Sequence, residues 1–124
     1  MKFHVDGIPI QQGSMKVFNG HVVHAKGTQL LLWRALIAMM ARDAGVGKAP
    51  SDKAIQLDLV FSMKKPKSVK RDMPTVAPDL DKLVRSVLDA LTGVAYEDDS
   101  QVVVVNASKV YGDPGLDVQI TVLS

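Results

Sequence analysis

Residues 55–63, "IQLDLVFSM", put Ile55, Leu57, Leu59, Phe61 and Met63 at every second position, with polar Gln56, Asp58 and Ser62 between them. Successive side chains of a strand point to opposite faces, so this period predicts a half-buried β-strand with one face on a core. Further on the period changes. Leu80, Leu83, Val84, Val87, Leu88 and Leu91 recur at steps of three and four, the single apolar stripe of an amphipathic helix, and Gly93 ends it. A chain that switches between these two periods needs a sheet and a helix that cover each other.

The remaining segments fit around that pair. "FHVDGIPI" reads as a strand ending near Pro9, and "MKVFNGHVVHA" as a hairpin turning at Asn19-Gly20, a pair that tolerates the positive φ of a type I′ turn. Thr28 to Asp43 reads as a largely buried helix capped by Thr28 and stopped at "AGVGKAP". Residues 101–111, "QVVVVNASKVY", form a β-branched strand, "GDPG" a turn, and "LDVQITVL" a strand pointing Leu116, Val118, Ile120 and Val122 inward. The order predicts an α+β fold, a single domain over residues 1–124, with one mixed β-sheet and two main helices packed against it.

The 124 residues include no cysteine, which excludes disulfide frameworks, thiolate zinc sites and cysteine nucleophiles. A metal would have to be held by oxygen or imidazole. The start, "MKFHVDGIPI", lacks the apolar core of a signal peptide, and the apolar run around Leu30 to Met40 is too short to span a bilayer. These features predict a cytoplasmic protein without a membrane partner. The net charge of +2 hides an uneven distribution: "KKPKSVKR" carries Lys64, Lys65, Lys67, Lys70 and Arg71, while Asp79, Asp81, Asp98 and Asp99 gather downstream. Cations beside an acidic cluster point to a polyanion held near a cation-binding site.

The carboxylates bracket the second helix. Asp79 stands where a cap residue would, and from there its side chain can share a site with Asp81. Asp98 and Asp99 follow the helix and would lie about 20 Å from its start. Three arrangements bring them together: the turn folds back along the helix, a neighbouring strand carries an aspartate to the site, or a second subunit supplies part of it. Clustered aspartates without thiolates suit Mg²⁺ or Mn²⁺, and such an ion can activate a water for in-line attack on a phosphate. Arg85, four residues after Asp81, faces either a phosphate or Asp81 itself. The plainer alternative is a cap at Asp79 and a solvated acidic turn.

The stretch Pro78 to Val102, "PDLDKLVRSVLDALTGVAYEDDSQV", resembles the signature region of the RusA family of Holliday junction resolvases, common in phages and prophages. It carries the D-x-D start, the "LDAL" of the helix and the "DDSQV" end; the basic loop and flanking strands are compatible. The resemblance implies a homodimeric, Mg²⁺-dependent endonuclease that nicks four-way DNA junctions symmetrically. It implies Asp79, Asp81 and Asp99 as catalytic metal ligands, with Asp98 secondary, and puts Arg85 where the family usually has lysine. Arginine keeps the charge but does not readily give up a proton. Lys82 replaces a frequent asparagine and joins Lys64, Lys65, Lys67, Lys70 and Arg71 as a candidate DNA contact. The competing reading is a non-catalytic DNA-binding protein that grips phosphates through loop 64–71. Of the rest, His4, His21 and His24 lack the spacing of a helical metal pair, Asp89 reads as solvent-facing, and Trp33, Met39 and Met40 as core or dimer contacts.

Overall fold

The computed structural model describes residues 1–12, 15–18, 21–24 and 27–124, with the side chains of 13–26 outside the description. The elements in chain order are β1 (Lys2–Asp6), β2 (Met15–Phe18), β3 (His21–His24), α1 (Gly27–Asp43), β4 (Ile55–Met63), α2 (Leu80–Leu91), β5 (Val102–Tyr111) and β6 (Gly115–Val122), with a short 3-10 turn at Asp99–Gln101. The expected Asn19-Gly20 turn and the side chains of His21 and His24 fall outside the described residues. Among the described residues no helix is long and apolar enough to cross a membrane.

The fold is α+β, with a mixed four-stranded sheet in the order β1-β6-β4-β5 and both helices on one face. The single sheet expected from sequence is divided, because among the described residues β2 and β3 pair only with each other. Strand β4 lies inside the sheet, antiparallel to β6 and parallel to β5. Its alternation is realised as read: Ile55, Leu57, Leu59 and Phe61 are buried under the helices. From β6, Leu116, Val118 and Ile120 join them, whereas Val122, at the strand's end, is exposed. Strand β1 stops at Asp6, short of the expected Pro9.

Helix α1 departs most from expectation. It starts one residue ahead of Thr28, so Thr28 is not its cap, and only Leu30, Trp33, Ile37 and Ala41 are buried. Leu31, Leu32 and Met39 face outward. Helix α2 buries Leu83, Val87, Ala90 and Leu91, and ends before Gly93, whose φ of 84° is costly for residues with a Cβ. Because β4 and β5 run parallel, α2 is the crossover between them and runs back antiparallel to both. Its start therefore stands at the Met63 and Tyr111 end of the sheet, and its finish at the Ile55 and Val102 end.

On the sheet face away from the helices, His4 sits between two carboxylates. Nδ1 lies 2.7 Å from Asp117, its cross-strand partner, and Nε2 lies 2.9 Å from Asp6, two residues along the same strand. Gly115 leaves room for the ring, since a Cβ there would stand 2.8 Å from Cε1. The Asp117 hydrogen bond chiefly raises the imidazole above its ordinary 6.5; burial opposes it, and the weaker hydrogen bond to Asp6 adds to the rise. A raised folded value means the stabilisation is fully present below 6.5 and fades as pH climbs through the folded value. His4→Gln is therefore expected to lower the melting temperature at pH 5.5 and to change it little at pH 9. An equal loss at both values would show that His4 does not act through its charge.

Candidate metal and DNA site

The chain enters α2 through a braced segment. Lys109, on β5, reaches across with Nζ to donate 2.8 Å hydrogen bonds to the carbonyls of Val76 and Pro78. The backbone N–H of Asp79 donates to Gln11 Oε1 at 2.7 Å, and Gln12 N–H donates to Lys82 O at 3.1 Å. Asp79 occupies the N-cap position with extended backbone, yet its side chain makes no capping hydrogen bond. Its carboxylate is thus not committed to the helix; its nearest cation is Lys82, 3.4 Å away. Asp81 is exposed in the first turn, and neither it nor Arg85 forms an ion pair among the described residues.

The basic loop leaves β4 at this same end. Lys64, Lys65, Lys67, Lys70 and Arg71 are all exposed, and two of them settle on Tyr111 at the end of β5. Arg71 Nε donates to the Tyr111 hydroxyl at 3.0 Å, and Lys65 Nζ lies 5.7 Å from the ring centroid. Cations and the Asp79–Asp81 pair therefore share one pole of the domain. Neither Lys109 nor Gln11 has a sequence signal for this role; only the fold brings them to the segment before Asp79.

The other acidic pair stands at the opposite pole. Asp98 caps the 3-10 turn, its side chain accepting from Ser100 N–H at 2.9 Å, and this hydrogen bond holds the carboxyl below the ordinary carboxylate value. Gln101 closes the motif. Its Oε1 accepts from Glu97 and Asp98 N–H, while its Nε2 donates to the carbonyls of Pro50 and Lys53. The "DDSQ" run is thus a built corner in which Asp98 is occupied and Asp99 projects exposed. Asp99 is near Tyr96, whose hydroxyl bonds Leu88 O at 2.8 Å and is held strongly towards its neutral form by burial first, then by Asp99 and Asp89. Asp89 is exposed, as expected, and also pairs with Arg34 at 3.0 Å.

Along β5, Lys109, which braces Asp79, lies seven residue steps beyond Val102, just after this corner; at strand rise that is about 23 Å. The turn does not fold back along α2. Among the described residues no three histidine, aspartate or glutamate side chains are grouped so that they could hold a metal ion.

Residues 8–121 match the family model described as Endodeoxyribonuclease RusA. The chain belongs to the RusA family. RusA membership makes it a nuclease acting on DNA, of the kind that binds and resolves branched Holliday junctions with a divalent metal. The chain is also similar to the uncharacterized protein YqaN of Bacillus subtilis strain 168, at 32% identity over an alignment taking in 100% of this chain and 97% of the relative. The RusA match spans both acidic poles, the basic loop and strands β4 and β5 that position them, and leaves β1 outside.

Proposed function

We propose that this RusA protein is a Mg²⁺-dependent homodimer that cuts four-way junctions by paired symmetric nicks, each active site using Asp79 and Asp81 of one subunit and Asp99 of the other. The carrying observation is that Asp79 and Asp81 have carboxylates free of capping duty at the pole where five loop cations stand. Mg²⁺ is commonly held by one or two carboxylates, with waters and phosphate oxygens completing its shell. The exposed oxygens of Asp79 and Asp81 fit that requirement, and Mn²⁺ suits the same ligands. Such an ion supplies positive charge at the phosphate and activation of the attacking water.

The protein's own residues do the rest. Lys64, Lys65, Lys67 and Lys70 draw the backbone phosphates to this pole with little sequence information, with Lys82 and Arg71 beside them. Arg85, one turn after Asp81, offers a guanidinium that stabilises developing phosphate charge and stays protonated throughout. Lys109 and Gln11 hold the segment carrying Asp79, so the carboxylate meets the strand with little rearrangement.

The dimer has a physical route. Strand β5 is a ten-residue sheet edge with Val103 61% exposed and Val104 and Val105 also exposed, an arrangement that invites pairing. Two β5 edges joined antiparallel about a two-fold axis extend the sheet and run the two α2 helices in opposite directions. The start of one α2 then lies towards the Asp99 corner of the other.

A synthetic four-way junction, incubated with and without Mg²⁺, tests the reading. The expected products are paired nicks at symmetric positions with the ion and intact bound junction without it. Binding that never leads to cutting, at any divalent ion supplied, would favour the purely DNA-binding alternative.

A further inference from the structure

A cavity of about 240 Å³ opens beside Asp79, behind the basic loop. Its walls are mostly apolar: Met63, Pro74, Val76, Pro78 and Pro114 with the ring of Tyr111. Lys64 and Arg71 also line it. The volume exceeds by more than tenfold the roughly 15 Å³ a single water requires. Apolar walls do not solvate a phosphate, so the charged backbone belongs with the cations and the hollow with something flat and weakly polar.

We infer that this cavity receives a nucleobase displaced from the helical stack beside the phosphate that is cut. The inference rests on the endonuclease reading and deepens it. A base carries apolar faces that pack against proline and tyrosine, and it is covalently tied to the phosphates that Lys64 and Arg71 attract. Pro78 is both a wall of the cavity and the residue before Asp79, so a strand with one base in the hollow has its adjoining phosphate next to the Asp79–Asp81 pair. Lys109 fixes that wall through the Val76 and Pro78 carbonyls. Bases at a branch point have lost part of their stacking, so extracting one costs less there than in continuous duplex. The cavity thereby links cutting to branched structure and makes the base beside the cut a determinant of the site chosen.

The test places 2-aminopurine at successive positions around the cut mapped with Mg²⁺, and reads fluorescence when the full-length protein binds the junction in EDTA. Unstacking at one position next to the cut is expected as a fluorescence rise of several fold, with little change elsewhere. Val76→Trp, which fills the hollow from its wall, is expected to abolish that rise and slow junction cutting at least about tenfold, the scale of one stacked base. A melting curve checks that the variant is folded. Native protein that cuts the junction but brightens no position overturns the inference without touching the nuclease reading, and this arm needs no variant. So does a folded Val76→Trp that cuts and brightens like the native chain. Native protein that cuts nothing with any divalent ion overturns both.

Discussion

Asp81→Asn is expected to cut a four-way junction on the order of 10²–10³-fold more slowly than the native protein while binding it with nearly unchanged affinity. Asp81 is exposed in the first turn of α2 and makes no ion pair among the described residues, so the amide fits the same space without breaking a structural contact. Its helix-dipole contribution at an exposed first-turn position is only about 0.3–1 kcal/mol, too little to unfold the domain. On the proposed reading, what is lost is one charged oxygen ligand, and with it part of the attraction for a divalent ion. Removing a negative charge near the DNA cannot weaken phosphate binding, so a gel-shift titration in EDTA separates the two effects. Cutting at the native rate would remove Asp81 from the site.

The second large effect concerns two impaired proteins. Asp81→Asn and Asp99→Asn are each expected to be strongly impaired alone, and to recover activity when co-expressed. A mixed dimer contains one active site bearing both substitutions and one bearing neither. With random pairing, half of the dimers are mixed and one of their two sites is intact, giving about a quarter of the native sites. The recovered enzyme nicks one strand per junction rather than two. Asp99→Asn folds normally on this account because Asp98, not Asp99, caps the turn. Mixed dimers, isolated by two different affinity tags, that stay as impaired as either parent would show that each site draws all its aspartates from a single chain.

The elements at the heart of the domain were legible because their signals are local. The period-2 run gives β4 its observed ends, Ile55 and Met63, and the 3–4 spacing with Gly93 gives α2. The pairing of strands is less visible: among the described residues β2 and β3 pair with each other and not with the main sheet, whose own order β1-β6-β4-β5 joins strands far apart in sequence. In α1, "QLLLWRAL" has apolar residues on adjacent positions, and only docking decides that Leu30 and Trp33 go in while Leu31 and Leu32 stay out. The acidic residues could be named but not sorted. Asp79 looks like a cap and does not act as one, while the capping is done by Asp98. Lys109 looks like any strand lysine until the segment before α2 folds across it.

The direction of α2 has a consequence for the living cell. The helix carries Asp79 and Asp81 at one pole and leaves Asp99 at the other, so on the proposed shared-site reading a newly synthesised chain holds two unfinished halves. On the shared-site reading, such a chain is harmless to chromosomes until it meets its twin, and dilution disarms it.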